Sequence, residues 1–103
     1  MELLPDELKS RLPPLNSQEA DLDPIVYAKF FLPGTKTAWY VIEGQQAGTD
    51  YVFFGFVGEP VNDFAEFYMS QLHRIRGPGG TVVERDMEFA PGRLTDVVPA
   101  PEL

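Results

Sequence analysis

The chain has 103 residues, the size of one ordinary domain, and its content of 44% hydrophobic and 13% aromatic residues is enough to build a core, which excludes wholesale disorder. Sixteen Asp and Glu against eight Lys and Arg give a net charge of -8, a field that repels nucleic acid and anionic lipid and attracts a basic protein surface. The absence of cysteine excludes disulfides, thiolate metal sites and thiol catalysis, and suits a reducing compartment.

The opening Met1-Glu2-Leu3-Leu4-Pro5-Asp6 has neither the basic nor the long apolar region of a signal peptide. No apolar run approaches the roughly 18 residues of a membrane span. The expectation is therefore a single cytoplasmic domain over residues 1–103.

In chain order, the first expected element is a helix of two turns near Pro5 to Leu12. Pro5 suits its first position, Asp6 and Glu7 sit at its positive end, and Pro13-Pro14 stops it. Leu15 to Pro24, with Glu19, Asp21 and Asp23, reads as a polar surface connector. Three runs rich in β-branched and aromatic residues follow, Ile25 to Leu32, Thr37 to Gln46 and Tyr51 to Val57. Their turns, at Pro33-Gly34 and around Gly48 and Asp50, are too short for a parallel return, so the centre is an antiparallel meander.

Phe64 to Met69 reads as a fourth strand, and Ser70 as the cap of a short helix running to Arg76. Gly77-Pro78-Gly79-Gly80 ends that helix, and Thr81 to Phe89 supplies a fifth strand. Residues 91–103 form a Pro-rich tail, partly ordered at Leu94 to Val98. The fold class is α+β: a four- to five-stranded antiparallel sheet with a short N-terminal helix and a second short helix before the last strand.

Little in the chain points to catalysis. His73 is the only histidine, so no histidine metal cluster or relay can be assembled. The glycines at 77, 79 and 80 follow a helix instead of preceding one and lack the Lys-Ser/Thr of a phosphate loop. Neither a catalytic residue nor a cofactor or metal is expected.

The sharpest pattern is Val82 to Phe89, where alternation places Glu84, Asp86 and Glu88 on one strand face. Carboxylates two apart on a strand lie roughly 6.6 Å apart, so they form a row and not a cation cage. Such a row is either a solvated face or an imitation of a phosphate backbone. No Lys or Arg occurs between Lys36 and Arg74, whereas Glu43, Asp50, Glu59, Asp63 and Glu66 all fall there. That distribution favours a surface of one sign that docks a basic partner.

A further feature is aromatic. With Val26, Ala28, Phe30 and Leu32 facing the core, Ile25, Tyr27, Lys29 and Phe31 face the other way, as do Trp39, Val41, Tyr51 and Phe53. Either the N-terminal helix covers that second face, or Trp39 and Tyr27 anchor a protein partner there. The candidate partner-binding residues are thus Glu84, Asp86, Glu88, Asp50, Asp63, Trp39 and Tyr27.

Leu3-Leu4-Pro5-Asp6-Glu7-Leu8, Asp23-Pro24-Ile25-Val26-Tyr27-Ala28-Lys29-Phe30-Phe31, Trp39-Tyr40, Phe53-Phe54-Gly55, Arg76-Gly77-Pro78 with Gly80, and Glu84-Arg85-Asp86 with Phe89 stand in an order and spacing that resembles the domain of unknown function 2958 family. The resemblance implies a small bacterial protein of plasmids, integrated elements and phage-derived regions, with no assigned enzymatic activity and with relatives linked to blocking CRISPR immunity. Joined to the acidic charge, it leads to the expectation of a counter-defence inhibitor that occupies the basic nucleic-acid-binding surface of a defence nuclease. Two alternatives stay open: a small enzyme or ligand-binding protein using Arg85 and a sheet pocket, and a plain accessory module of plasmid or phage maintenance.

Overall fold

A computed structural model describes residues 2–99; residues 100–103, the end of the expected tail, lie outside the described part. Helix α1 spans Asp6–Arg11, with Asp6 and Glu7 in its first turn, Lys9 and Arg11 in its last, and Leu8 buried. Glu7 and Arg11 form an ion pair one turn apart on its exposed side. The helix stops at Leu12, where Pro13 cannot continue it.

The main sheet contains β2 (Ala28–Phe31), β3 (Ala38–Ala47), β4 (Asp50–Val57), β5 (Asp63–Tyr68) and β6 (Glu84–Arg85), in the order β5-β4-β3-β2-β6. Every pairing is antiparallel, so strands two to five are the expected meander and β6 returns to its far edge. Two further short strands, β1 (Ile25–Val26) and β7 (Gly92–Arg93), form a separate antiparallel ribbon. Helix α2 covers Met69–Arg74, and α3 covers Leu94–Val97.

Both faces of the sheet are packed. On one, Leu8 and Leu12 of the N-terminal segment and Leu72 of α2 cover Phe30, Trp39, Val41, Phe53 and Phe67. Phe30 and Phe53 are fully buried with their rings edge to face at 5.5 Å, and each such side chain contributes about 1.5–3 kcal/mol by leaving water. On the other face Val26, Tyr40, Ile42 and Phe56 pack under Leu94 and Val98, so the stretch from Leu94 to Val98 is a structural cover.

The expected division of faces is corrected by the register. Phe30 pairs with Trp39 and Ala28 with Val41, and directly opposed residues share a face, so Trp39 and Val41 join Phe30 in one cluster. Val26 lies in the other cluster because the strand breaks at Tyr27, whose N–H reaches the Val41 carbonyl at 2.8 Å. The N-terminal helix thus covers the face of Phe30, and α3 covers the opposite one.

Two boundaries also move. Met69 opens α2 instead of ending the preceding strand, and Ser70 sits inside the helix, with its hydroxyl and N–H both donated to the Asp50 carboxylate at 2.6 and 3.1 Å. The fifth strand shrinks to Glu84–Arg85. Beyond it Asp86 accepts the Glu88 N–H on its side chain at 3.0 Å and the Phe89 N–H on its carbonyl at 3.3 Å, which turns the chain at Met87 and Glu88. The row of Glu84, Asp86 and Glu88 therefore does not exist as one strand face.

Candidate functional site: an acidic groove with an aromatic floor

The connector from Leu15 to Pro24 is ordered by one buried carboxylate. In β3 the register shifts between Val41 and Glu43, leaving Ile42 as an extra residue and turning Glu43 beneath the connector. Glu43 is only 3% exposed. Its two oxygens accept the N–H groups of Asn16 and Gln18 at 2.8 and 2.6 Å, charge-assisted bonds that offset the cost of burying the carboxylate. Asn16 adopts a left-handed φ of 71°, a conformation asparagine tolerates better than most residues.

Gln18 continues the same network. Its side-chain N–H groups go to the carbonyls of Ile25 and Ile42, both at 3.2 Å, and its oxygen accepts the Ile25 N–H at 3.0 Å. The far end of the connector is tied to the C-terminal segment. Arg93 reaches the Asp21 carboxylate at 3.2 Å and the Asp23 carbonyl at 2.9 Å. Thr95 donates its N–H and hydroxyl to the Asp23 carboxylate at 2.9 and 2.7 Å. These bonds from Thr95, the backbone one foremost, hold the Asp23 carboxyl below the usual carboxylate range.

Held in this way, the connector forms one wall of a groove of about 360 Å³ whose floor is Ile42, Phe54 and Phe64. Phe54 and Phe64 are stacked at 5.9 Å with their planes 7° apart, and Phe64 also meets Phe56 edge to face at 5.4 Å. Phe64 remains 44% exposed, and Leu22 on the connector is 99% exposed. Four carboxylates, Glu19, Asp21, Glu43 and Glu66, line the groove, and no Lys or Arg does. An apolar floor inside an acidic rim suits a ligand that is both cationic and apolar.

The seven residues expected from sequence are scattered. Trp39 is 6% exposed, and Tyr27 is half-buried against the same cluster, so neither forms an open aromatic patch. Asp50 is occupied in holding α2 through Ser70, and it also accepts the Tyr51 N–H at 2.8 Å. The Ser70 hydroxyl is the main reason its carboxyl titrates below the ordinary range. Asp63 is exposed at the start of β5, where its carboxylate accepts the Phe64 N–H at 2.7 Å, and it pairs with Val57 of the Phe30 cluster and does not line the groove.

Glu84 pairs with Phe31 at the opposite edge of the sheet. Asp86 borders a broad open cleft of about 590 Å³ that also contains Lys29, Lys36, Tyr40 and Glu59, a mixture of signs. Glu88 is exposed in the turn after β6. Arg85 lines a smaller pocket of about 300 Å³ with Glu7, Arg11, Tyr27 and Asp86. Among the described residues no three acidic or histidine side chains converge to hold a metal ion, and no helix is long and apolar enough to cross a membrane.

Phe54, Phe64, Leu22 and Glu19 were missed as a group because they come from three segments brought together only by the fold. The available signal was Leu22, a large apolar residue flanked by Asp21 and Asp23 in a mostly polar connector. Among curated proteins and among solved structures no match is found. One family model, described as a protein of unknown function (DUF2958), matches residues 3–98, nearly the whole chain, and the chain belongs to that family.

Proposed function

We propose that this protein is a small acidic binding protein that occupies a basic, nucleic-acid-binding surface of another protein, and that the partner is a bacterial defence nuclease countered on behalf of a mobile element. The observation that carries the reading is the groove between the connector and β5, where the exposed carboxylates of Glu19 and Glu66 flank exposed Phe64 and Leu22, while Glu43 is buried beneath and Asp21 is paired with Arg93. Carboxylates steer a basic surface into contact, and the aromatic floor supplies the apolar anchor that charge alone lacks. RNA-guided nucleases hold nucleic acid in a channel of positive charge, the kind of surface this groove complements. The inhibitory role follows from competition, since DNA and an acidic protein cannot share one basic surface.

The test is DNA loading by a panel of purified guide-loaded nucleases, measured with labelled target DNA at several salt concentrations. Added protein should prevent loading of its target, less so as salt rises, and a Glu19→Lys/Glu66→Lys variant should lose the effect. A protein that leaves loading and cleavage unchanged throughout the panel at high micromolar concentration overturns the proposal.

A further inference from the structure

β5 is the last strand of the sheet, and among the described residues no strand lies beyond it. In an antiparallel ladder alternate residues bond to one neighbour and those between turn their N–H and C=O outward. The Phe64 N–H is donated to the Asp63 carboxylate at 2.7 Å and the Tyr68 N–H to the Gln71 side chain at 2.8 Å. Four residues apart, these amides place the even-numbered positions on the outer edge, with Glu66 midway between them. The two side chains close the ends of the edge and leave the Glu66 backbone as its open centre.

The side chains carry a matching pattern. Phe64, Glu66 and Tyr68 lie opposite Phe56, Phe54 and Val52 and so share the groove face of the sheet. Phe64 and Tyr68 are exposed, and Glu66 stands between two aromatic rings. We infer that β5 takes an extended segment of a protein partner as an additional antiparallel strand, with a lysine or arginine opposite Glu66 and apolar residues two positions to either side. This rests on the proposed docking of a basic surface and names the element that the groove receives.

Charge and geometry select this occupant. Directly opposed residues on antiparallel strands have Cβ atoms about 4.5–5.5 Å apart, so a basic side chain opposite Glu66 pairs with it while its neighbours pack on Phe64 and Tyr68. A guanidinium gains further from the flanking rings. A second copy of this chain is a poor occupant, because edge-to-edge pairing would oppose two surfaces that each present Asp63 and Glu66 and belong to chains of net charge -8.

The probe is a blocked pentapeptide, Val-Thr-Arg-Thr-Val, titrated into the full chain at low salt and followed by amide NMR shifts. Shifts should centre on residues 63–68 and extend to the connector wall. Glu66→Lys should weaken binding about tenfold or more, and the peptide with Glu in place of Arg should bind that variant better than it binds the parent protein. Methylating the peptide's central amide nitrogen should weaken binding as well, since strand addition needs that N–H.

An equally tight N-methylated peptide overturns strand addition. Shifts centred on Glu84 to Glu88 overturn the β5 site while leaving the docking of a basic partner standing. No shift anywhere overturns this site, and inhibition of DNA loading in the nuclease panel then decides the proposed function separately.

Discussion

The buried carboxylate of Glu43 spans two amides of the connector, Asn16 and Gln18, at 2.8 and 2.6 Å, and joins a loop to the centre of the sheet. No regular secondary structure holds residues 15–24, so this junction sets the wall of the groove. Glu43→Ala should cost about 2–3 kcal/mol, because two amides lose a charged acceptor. Glu43→Gln should recover only part of it, since an amide offers one oxygen where two are needed. Chemical denaturation measures the loss, and faster hydrogen exchange at Asn16 and Gln18 locates it.

Asp50 and Asp23 predict an acid dependence. Both folded carboxyls are held below the ordinary aspartate value, by Ser70 in one case and Thr95 in the other. Their stabilising contribution is complete above about pH 4, where the unfolded chain is also ionised, and is lost as pH falls through the depressed folded value. Thermal melts of Asp50→Asn and Asp23→Asn should therefore show lower stability than the parent near neutral pH. The difference should shrink on acidification below about pH 4.

Gly55 is fixed by close approach. A Cβ added there would lie 1.9 Å from the Tyr40 carbonyl oxygen, a backbone atom that cannot move without opening the pairing of β3 and β4. Gly55→Ala should destabilise the protein by about 1–3 kcal/mol, with the effect visible in the denaturation midpoint.

The binding surface separates from the fold most cleanly at Leu22. Leu22→Ser should shift stability by only about 0.5 kcal/mol, whereas Phe64→Ser, which gives up its ring contacts with Phe54 and Phe56, should cost about 1–2 kcal/mol, and both should weaken capture of a basic partner. Lysine at Glu84, Asp86 and Glu88 together should weaken that capture less than Glu19→Lys with Glu66→Lys, measured side by side in one salt series. The opposite ranking would return the binding surface to the segment around β6.

The strands from Ala28 to Val57 were legible because β-branched and aromatic runs end at unmistakable turns, and α1 because prolines bracket it. Which face each side chain takes was not. A period of two makes every assignment hostage to a single inserted or broken position, and the chain has both, at Tyr27 and at Ile42. The alternating carboxylates of 84–88 looked like a strand for a related reason: periodicity does not reveal that an aspartate will cap its own turn, as Asp86 does. None of the seven candidates lines the groove, because they are drawn into the core, occupied in local capping as Asp63 is, or placed across the sheet.

The bonds from Asp21 and Asp23 to Arg93 and Thr95 give the connector a second anchor far along the chain. One end of the groove wall is gripped by β3 and the other by the segment that lids the hydrophobic cluster of Ile42 and Phe56, on the groove's own face of the sheet. A ligand that presses on Leu22 therefore loads α3 as well, and amide protection at Leu94 to Val98 becomes a remote gauge of groove occupancy, readable without any label in the groove itself.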